Sequence, residues 1–377
     1  MPARHRIAAL MAAAAGAITA FGLAAIPASA ASMPYLSNFH TLTTLVSTVP
    51  RNGDVNPYGI FIIRHSVGAE HAGNILISNF NNSNNLQGTG STIVQITPTG
   101  HRSLFALIDA SALPGACPGG VGLTTALEVL PGGWVVVGSL PSVDGSAATS
   151  NAGCLIVLNS HGQVKETISG NGINGPWDSA AVTSGSTTQL FVSNVLQGTA
   201  AANGGVVNNG YVQRLTLHLS ATAPPQLVAS TTIASGYPQR TDANAFVLGS
   251  TGLGLGANGT LYEAETLTSQ IFAIPNALTR SGSPSPNPEG NLVTQGTKLS
   301  NPLGLAIAPN GDILTVNGGN GKIVETTPAG QQVGNRFLDM TPPSPKGAGA
   351  LFGLAVRPDL GGVYYVDDAV NTLRLLH

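Results

Sequence analysis

Six copies of one strand grammar and the lack of helical periodicity between them predict an all-β fold: a six-bladed β-propeller closed by an N-terminal strand. The stretch GLAIAPNGDILTVN, Gly304 to Asn317, carries the grammar as a strand, an Asn-Gly turn and a second strand. GGNGKIVETTPAG follows with a third strand and a Thr-Pro-Ala-Gly turn, its proline and glycine at the places a type I turn favours.

Taken in chain order, the first element is a leader. Arg4, His5 and Arg6 precede an apolar run from Ile7 to Ile26, and PASA-AS places small residues at Ala28 and Ala30. A signal peptide over residues 1–30 is expected, leaving 31–377 as one propeller domain; an uncleaved membrane anchor is the competing reading. HTLTTLVSTVP, His40 to Pro50, is β-rich and belongs to no blade of its own. The last blade ends at His377 after three strands, so this segment is expected to supply its fourth and cover an open edge. The blades between begin at PYGIFII, GLTTALEVL, GPWDSAAV, GLGLGANGTLYEAE, NPLGLAI and LFGLAV. The ends of their second strands align as Asn79, Gly138, Asn194, Glu265, Asn317 and Asp367, at intervals of 59, 56, 71, 52 and 50 residues. A solenoid would need helical or capped repeats, and a sandwich would not repeat one grammar six times.

Only 8% of the chain is charged, against about 25% in an average soluble protein, so the surface is built from Asn, Ser, Thr, Gln and Gly. Without Arg4 and Arg6 the balance is 13 basic against 17 acidic residues. No cluster of Lys or Arg offers a surface to nucleic acid or anionic lipid, and beyond the leader no apolar run is long enough to span a bilayer. The two cysteines, Cys117 and Cys154, both precede strands of the second blade; in an exported chain they are expected to pair.

The repeats resemble NHL repeats, whose pattern is Pro-x-Gly-(Leu/Ile)-x-(Val/Ile), an Asn-Gly turn, Leu-Tyr-Val-(Ala/Thr)-Asp and an Asn-x-(Arg/Lys)-(Ile/Val) strand. Asn301-Pro302-Leu303-Gly304-Leu305-Ala306-Ile307, Asn310-Gly311-Asp312-Ile313-Leu314 and Asn320-Gly321-Lys322-Ile323-Val324 carry the resemblance. Val363-Tyr364-Tyr365-Val366-Asp367 and Asn371-Thr372-Leu373-Arg374-Leu375 match in the last unit, and Thr260-Leu261-Tyr262 in the fourth. More distantly the chain is similar to senescence-marker-type gluconolactonases and streptogramin lyases. The lactonase resemblance implies a metal held in the channel by carboxylate and amide oxygens. The lyase resemblance implies a histidine–glutamate pair at the channel mouth, where this sequence places no histidine.

Two patterns attract chemistry without the context it needs. Gly254-Leu255-Gly256-Ala257-Asn258-Gly259 spells a dinucleotide fingerprint, but a strand-like segment follows instead of the helix that would receive a pyrophosphate. His65, Glu70 and His71 have no helix to bring them onto one face and read as a solvated turn. The ligand-binding candidates are the rim positions Asn79, Asn194, Glu265, Asn317 and Asp367, joined by Asp178 after Gly175-Pro176-Trp177. Glu265 and Asp367 are the metal candidates, with calcium the cation their oxygens suit; no other cofactor is implied. The local reading of the rim is that Asn and Asp side chains bond their own backbone at strand-to-turn corners. The loops after the second strands are long in the first three blades and short in the last three, and Asn85–Thr89 is echoed as Val195–Thr199. These features point to a secreted or periplasmic binding module that takes a polar small molecule or partner protein on the long-loop face. A lactonase-like hydrolase or streptogramin-lyase-like enzyme is the alternative.

Overall fold

The computed structural model describes residues 33–342, 344–359 and 361–377, and the expected leader lies outside them. Six antiparallel sheets form a ring as a six-bladed β-propeller. The inner strands are Val55–Ile62, Leu123–Leu130, Pro176–Ser184, Ser250–Leu255, Pro302–Ile307 and Leu351–Val356. Blades 1, 2, 4 and 5 each have four consecutive strands, and blade 3 has five, its last being Phe246–Leu248. In blade 6, Leu42–Ser47 lies outermost, antiparallel to Thr372–Leu376 with Leu42 opposite Leu376. Just before it, the backbone N–H groups of Tyr35 and Leu36 donate to the buried Glu325 carboxylate of blade 5 at 2.6 and 2.8 Å. Tyr35 and Leu36 also pack on Leu314, Val316 and Ile323, so the N-terminal segment spans two blades.

Second strands such as Ile75–Asn81 and Leu261–Glu265 are buried at every position. Each has neighbouring blades on both faces, which explains their continuous rather than alternating apolar pattern. Among the described residues no helix is long and apolar enough to cross a membrane.

Every inner strand is bulged at one level. In blade 1 Pro57 pairs with Asn79 and Ile60 with Ile77, leaving Tyr58 and Gly59 over. Blades 3, 4, 5 and 6 repeat this with Trp177-Asp178, Thr251-Gly252, Leu303-Gly304 and Phe352-Gly353. Blade 2 leaves three residues over, Thr124 to Ala126, so Ser139 rather than Gly138 is opposite its strand start. Ser139 is therefore the residue of blade 2 equivalent to Asn79 in blade 1. A bulge turns consecutive side chains away from the strand alternation, and here it divides the channel into two levels. Serines on the second strands fix two bulges. Ser78 Oγ accepts from Gly59 N at 2.9 Å and donates to Thr124 O of the next blade at 2.7 Å. Ser193 Oγ accepts from Asp178 N at 3.0 Å and donates to Thr251 O at 2.7 Å.

Cys117 and Cys154 form a disulfide that ties the entry loop of blade 2 to its third strand. Gly254 and Leu255 end an inner strand and residues 256–259 turn, so the glycine pattern there belongs to a hairpin.

Candidate functional site

The first residues of the bulges close the channel at the long-loop face. Tyr58 stacks on Phe352 and Phe80, with ring centroids 3.9 and 4.5 Å apart. Trp177, two blades away, reaches across to within 5.5 Å of Tyr58 and 5.8 Å of Phe80. Phe246, held at φ +65° where a bulky residue is strained, meets Phe80 edge-on at 5.3 Å. All five rings are buried.

The long loops cover this plug and interlock above it. Ser142 N donates to Gly88 O at 2.9 Å, Gln87 Nε2 to Ala243 O at 3.3 Å, and Gln239 Nε2 to Gln197 O at 3.0 Å. The sequence echo is a repeated turn: Thr89 Oγ1 donates to Leu86 O at 2.6 Å and Thr199 Oγ1 to Leu196 O at 3.1 Å. The glycines before those threonines have φ of +69° and +79°. The expectation that this face combines a channel mouth with a polar rim is therefore corrected: the mouth there is filled by aromatic rings. Apolar residues at the start of inner strands have nowhere else to be buried.

Below the plug the channel is a cavity of about 780 Å³ that runs from the bulges to the turns between first and second strands. Blades 4 to 6 line it with Leu255, Leu305, Ile307, Leu354 and Val356 among others, and among the described residues contribute no ionisable side chain. Blades 1 to 3 contribute Arg64, His65, Glu70, Glu128 and Asp178. The cavity thus has one aliphatic half and one half carrying all of its ionisable groups.

Asp178 fills the second place of its bulge, where blades 1, 4, 5 and 6 have Gly59, Gly252, Gly304 and Gly353. A side chain at Gly304 would collide with the Phe352 carbonyl, and one at Gly353 with the Tyr58 carbonyl. Blade 3 departs from that rule with a carboxylate. Its Oδ2 accepts from Leu253 N at 2.9 Å, and burial pushes its pKa up to about 7 against the effect of backbone hydrogen bonds.

The paired registers place Glu128 at the same level as Phe61, Ala180, Gly254, Ala306 and Ala355. It is half-buried. Burial first, then the Asp178 charge, raises its pKa to about 8, with the Arg64 guanidinium acting the other way. Two carboxyl groups on adjacent inner strands are thus held near neutrality and sense each other.

Glu70 differs from the solvated turn expected of its segment. His65 and His71 are exposed, but Glu70 is fully buried against the Gly132-Gly133 turn of blade 2. Among the described residues neither of its carboxylate oxygens has a hydrogen-bond partner, and burial raises its pKa to about 7.

Of the six ligand-binding candidates, Asp178 alone lines this cavity. Asn79, Asn194, Glu265, Asn317 and Asp367 are fully buried inside their blades. Asn79 Nδ2 donates to Thr48 O and Thr92 Oγ1, and Asn194 Nδ2 to Gln213 Oε1. Asn317 Nδ2 donates to Lys298 O and Asn320 Oδ1. Glu265 accepts from Leu267 N and Thr268 N, and Asp367 Oδ2 from Arg374 Nη1 at 2.7 Å. Each staples a corner of its own sheet, because the end of a second strand lies one strand away from the channel.

A metal of the kind the lactonase resemblance implies needs a different donor set. Calcium takes six to eight oxygens, whereas Glu265 is committed to amide donors and Asp367 to a guanidinium. In the cavity itself Glu128 and Asp178 face aliphatic walls, and among the described residues no three His, Cys, Asp or Glu side chains converge. These residues do not fit a calcium shell.

Sequence reasoning missed Glu128, and it set Glu70 aside as part of a solvated turn that the structure instead buries. The signal for Glu128, as for Asp178, is a carboxylate where the equivalent places are mostly small, visible once the bulges fix the register. For Glu70 the sequence carries no such signal, since burial of that turn comes from the neighbouring blade.

No protein-family model matches the chain, and no curated protein matches its sequence. Solved structures do. A putative gluconolactonase aligns with a TM-score of 0.56 at 13% identity, over 92% of this chain and 96% of that one. A gluconolactonase from Xanthomonas campestris aligns at 0.54 and 13%, over 89% and 88%. Regucalcin, a calcium-binding protein from Agrobacterium tumefaciens, aligns at 0.50 and 11%, over 89% and 95%. At such identities the likeness is one of fold, and function has to be argued from the site.

Proposed function

We propose that the protein acts on a small molecule in the central channel, with Glu128 and Asp178 as a proton-exchanging pair. The observation that carries this reading is the pair itself: two carboxyl groups facing one cavity, with pKa values of about 7 and about 8. Groups poised near working pH suit general acid–base chemistry. Burial and the Asp178 charge raise Glu128 further than burial raises Asp178, so Glu128 is the member that keeps its proton to higher pH. Asp178 can then take a proton from a water or hydroxyl while Glu128 gives one to a leaving oxygen.

Hydrolysis of a lactone or ester is the first reaction class to test, since the gluconolactonases that share the fold are hydrolases by name. In that reaction the water oxygen attacks the carbonyl carbon, the ester C–O bond breaks, Asp178 receives the water proton and Glu128 protonates the departing oxygen. An exported location is part of the same proposal, supported by the disulfide, which oxidising compartments favour.

The test is a panel of lactones and chromogenic esters assayed against pH. The rate should rise through about pH 7 and fall again beyond about pH 8, and Asp178→Asn or Glu128→Gln should each lower kcat by about 10²-fold or more. Turnover untouched by both substitutions and by a channel-filling Ala306→Trp would overturn the proposal.

A further inference from the structure

We infer that Glu70 is a recognition group for a protonated amine on the channel ligand, whose hydrocarbon remainder lies against the aliphatic wall of blades 4 to 6. The inference rests on the reading that the channel is the ligand site, and it names the substrate class that site selects.

Three independent features carry it. The first is the state of Glu70: fully buried, lining the cavity, with neither oxygen given a donor among the described residues. A buried polar group without a partner is costly, and a carboxylate costs most. The second is that the turn holding it is built and anchored. Glu70 N donates to Val67 O at 2.9 Å, Ala69 N donates to Ser160 O of blade 2 at 2.9 Å, and Gln95 Nε2 donates to Ala69 O at 3.1 Å. The turn that carries the carboxyl group is thus held by three hydrogen bonds and is not a free loop. The third is the sorting of chemistry around the cavity. Glu70, Glu128 and Asp178 lie on blades 1 to 3, the basic side chains among the described lining residues are Arg64 and His65 at the exposed rim, and blades 4 to 6 are aliphatic.

An unpartnered carboxylate accepts hydrogen bonds and attracts positive charge, and a protonated amine supplies both. A hydrated metal ion would waste the aliphatic half, while an anion would find no donor on Glu70 and only acidic side chains deeper on that half. A molecule with an ammonium at one end and an apolar body fits both halves, and the volume suits a ligand of ordinary size.

The experiment uses the full chain and matched alkyl and cycloalkyl amines, alcohols and carboxylates of equal carbon number, followed by thermal shift and calorimetry at pH 7. Amines should bind about tenfold tighter than the matched alcohols. Calorimetry in buffers of different ionisation enthalpy should show proton release as Glu70 ionises. Glu70→Gln should abolish the amine preference, leaving amine and alcohol affinities equal. Amines and alcohols binding equally to the unaltered protein overturns this inference while leaving the channel reading intact. Preference for the carboxylates also overturns it, with Arg64 as the dominant group. Binding of calcium or zinc alone that Glu70→Gln removes overturns it in favour of a metal. Failure of every organic probe, together with indifference to Ala306→Trp, overturns both.

Discussion

Asp178 occupies a place that backbone crowding reserves for glycine in four other blades, and this is where residue-level tests are sharpest. Asp178→Gly restores the common bulge residue, so the fold should persist while the channel loses one of its two proton-exchanging groups. The converse substitution tests the crowding directly. Gly353→Ala puts a methyl group into the Tyr58 carbonyl beside the aromatic plug, and overpacking of this kind costs about 1–3 kcal/mol. Urea unfolding should show that loss for Gly353→Ala and a far smaller change for Asp178→Gly. Equal destabilisation of the two would mean that the bulge glycines are not set by blade-to-blade approach.

The long loops of blades 1 and 3 act as elements through the turn they share. Gly88 has φ +69°, and a side chain there would press on Leu140 O and Ser142 N as well as strain the backbone. Gly88→Ala should therefore lower stability by about 1–2 kcal/mol in denaturant titration. Ligand affinity should stay unchanged, because the aromatic plug separates this turn from the cavity. A variant of normal stability with weakened ligand binding would return function to the long-loop face. Leu86-Gln87-Gly88-Thr89 and Leu196-Gln197-Gly198-Thr199 were legible as an echo, but a one-dimensional pattern could not say that the loops bind each other. Hydrogen bonds between segments of blades 1, 2 and 3 join residues more than 50 positions apart.

Across the whole molecule, burial of acidic groups makes stability depend on pH. Glu128 has a pKa of about 8, and Glu70, Asp178 and Asp368 about 7, each raised mainly by burial. In the unfolded chain such groups titrate near 4. Between those values the folded state holds more protons than the unfolded one, so stability is greatest below about pH 4.5 as far as these groups decide it, and is lost as pH rises through 7 to 8. The melting temperature should fall between about pH 5.5 and pH 8.5. Glu128→Gln should flatten that fall and raise stability at the alkaline end by on the order of 2 kcal/mol. A melting temperature that climbs over this range would show that the carboxyl groups are better solvated than their burial implies.

The sequence by itself determined the architecture, because strand grammar, turn chemistry and spacing are local and repeat six times. It also exposed Asp178, adjacent to a recognisable Gly175-Pro176-Trp177, and the two cysteines that pair. Which end of the channel is open was decided only in three dimensions. Tyr58, Phe80, Trp177, Phe246 and Phe352 come from three blades and look in sequence like ordinary core residues, yet together they seal one mouth. The polar residues at second-strand ends drew attention as a ring, but the second strand lies one strand away from the channel, which places them inside their blades instead. Glu128 and Glu70 acquired their character from neighbours far along the chain, since burial and the charges that shift a carboxyl group are properties of the packed ring and not of the residues beside it.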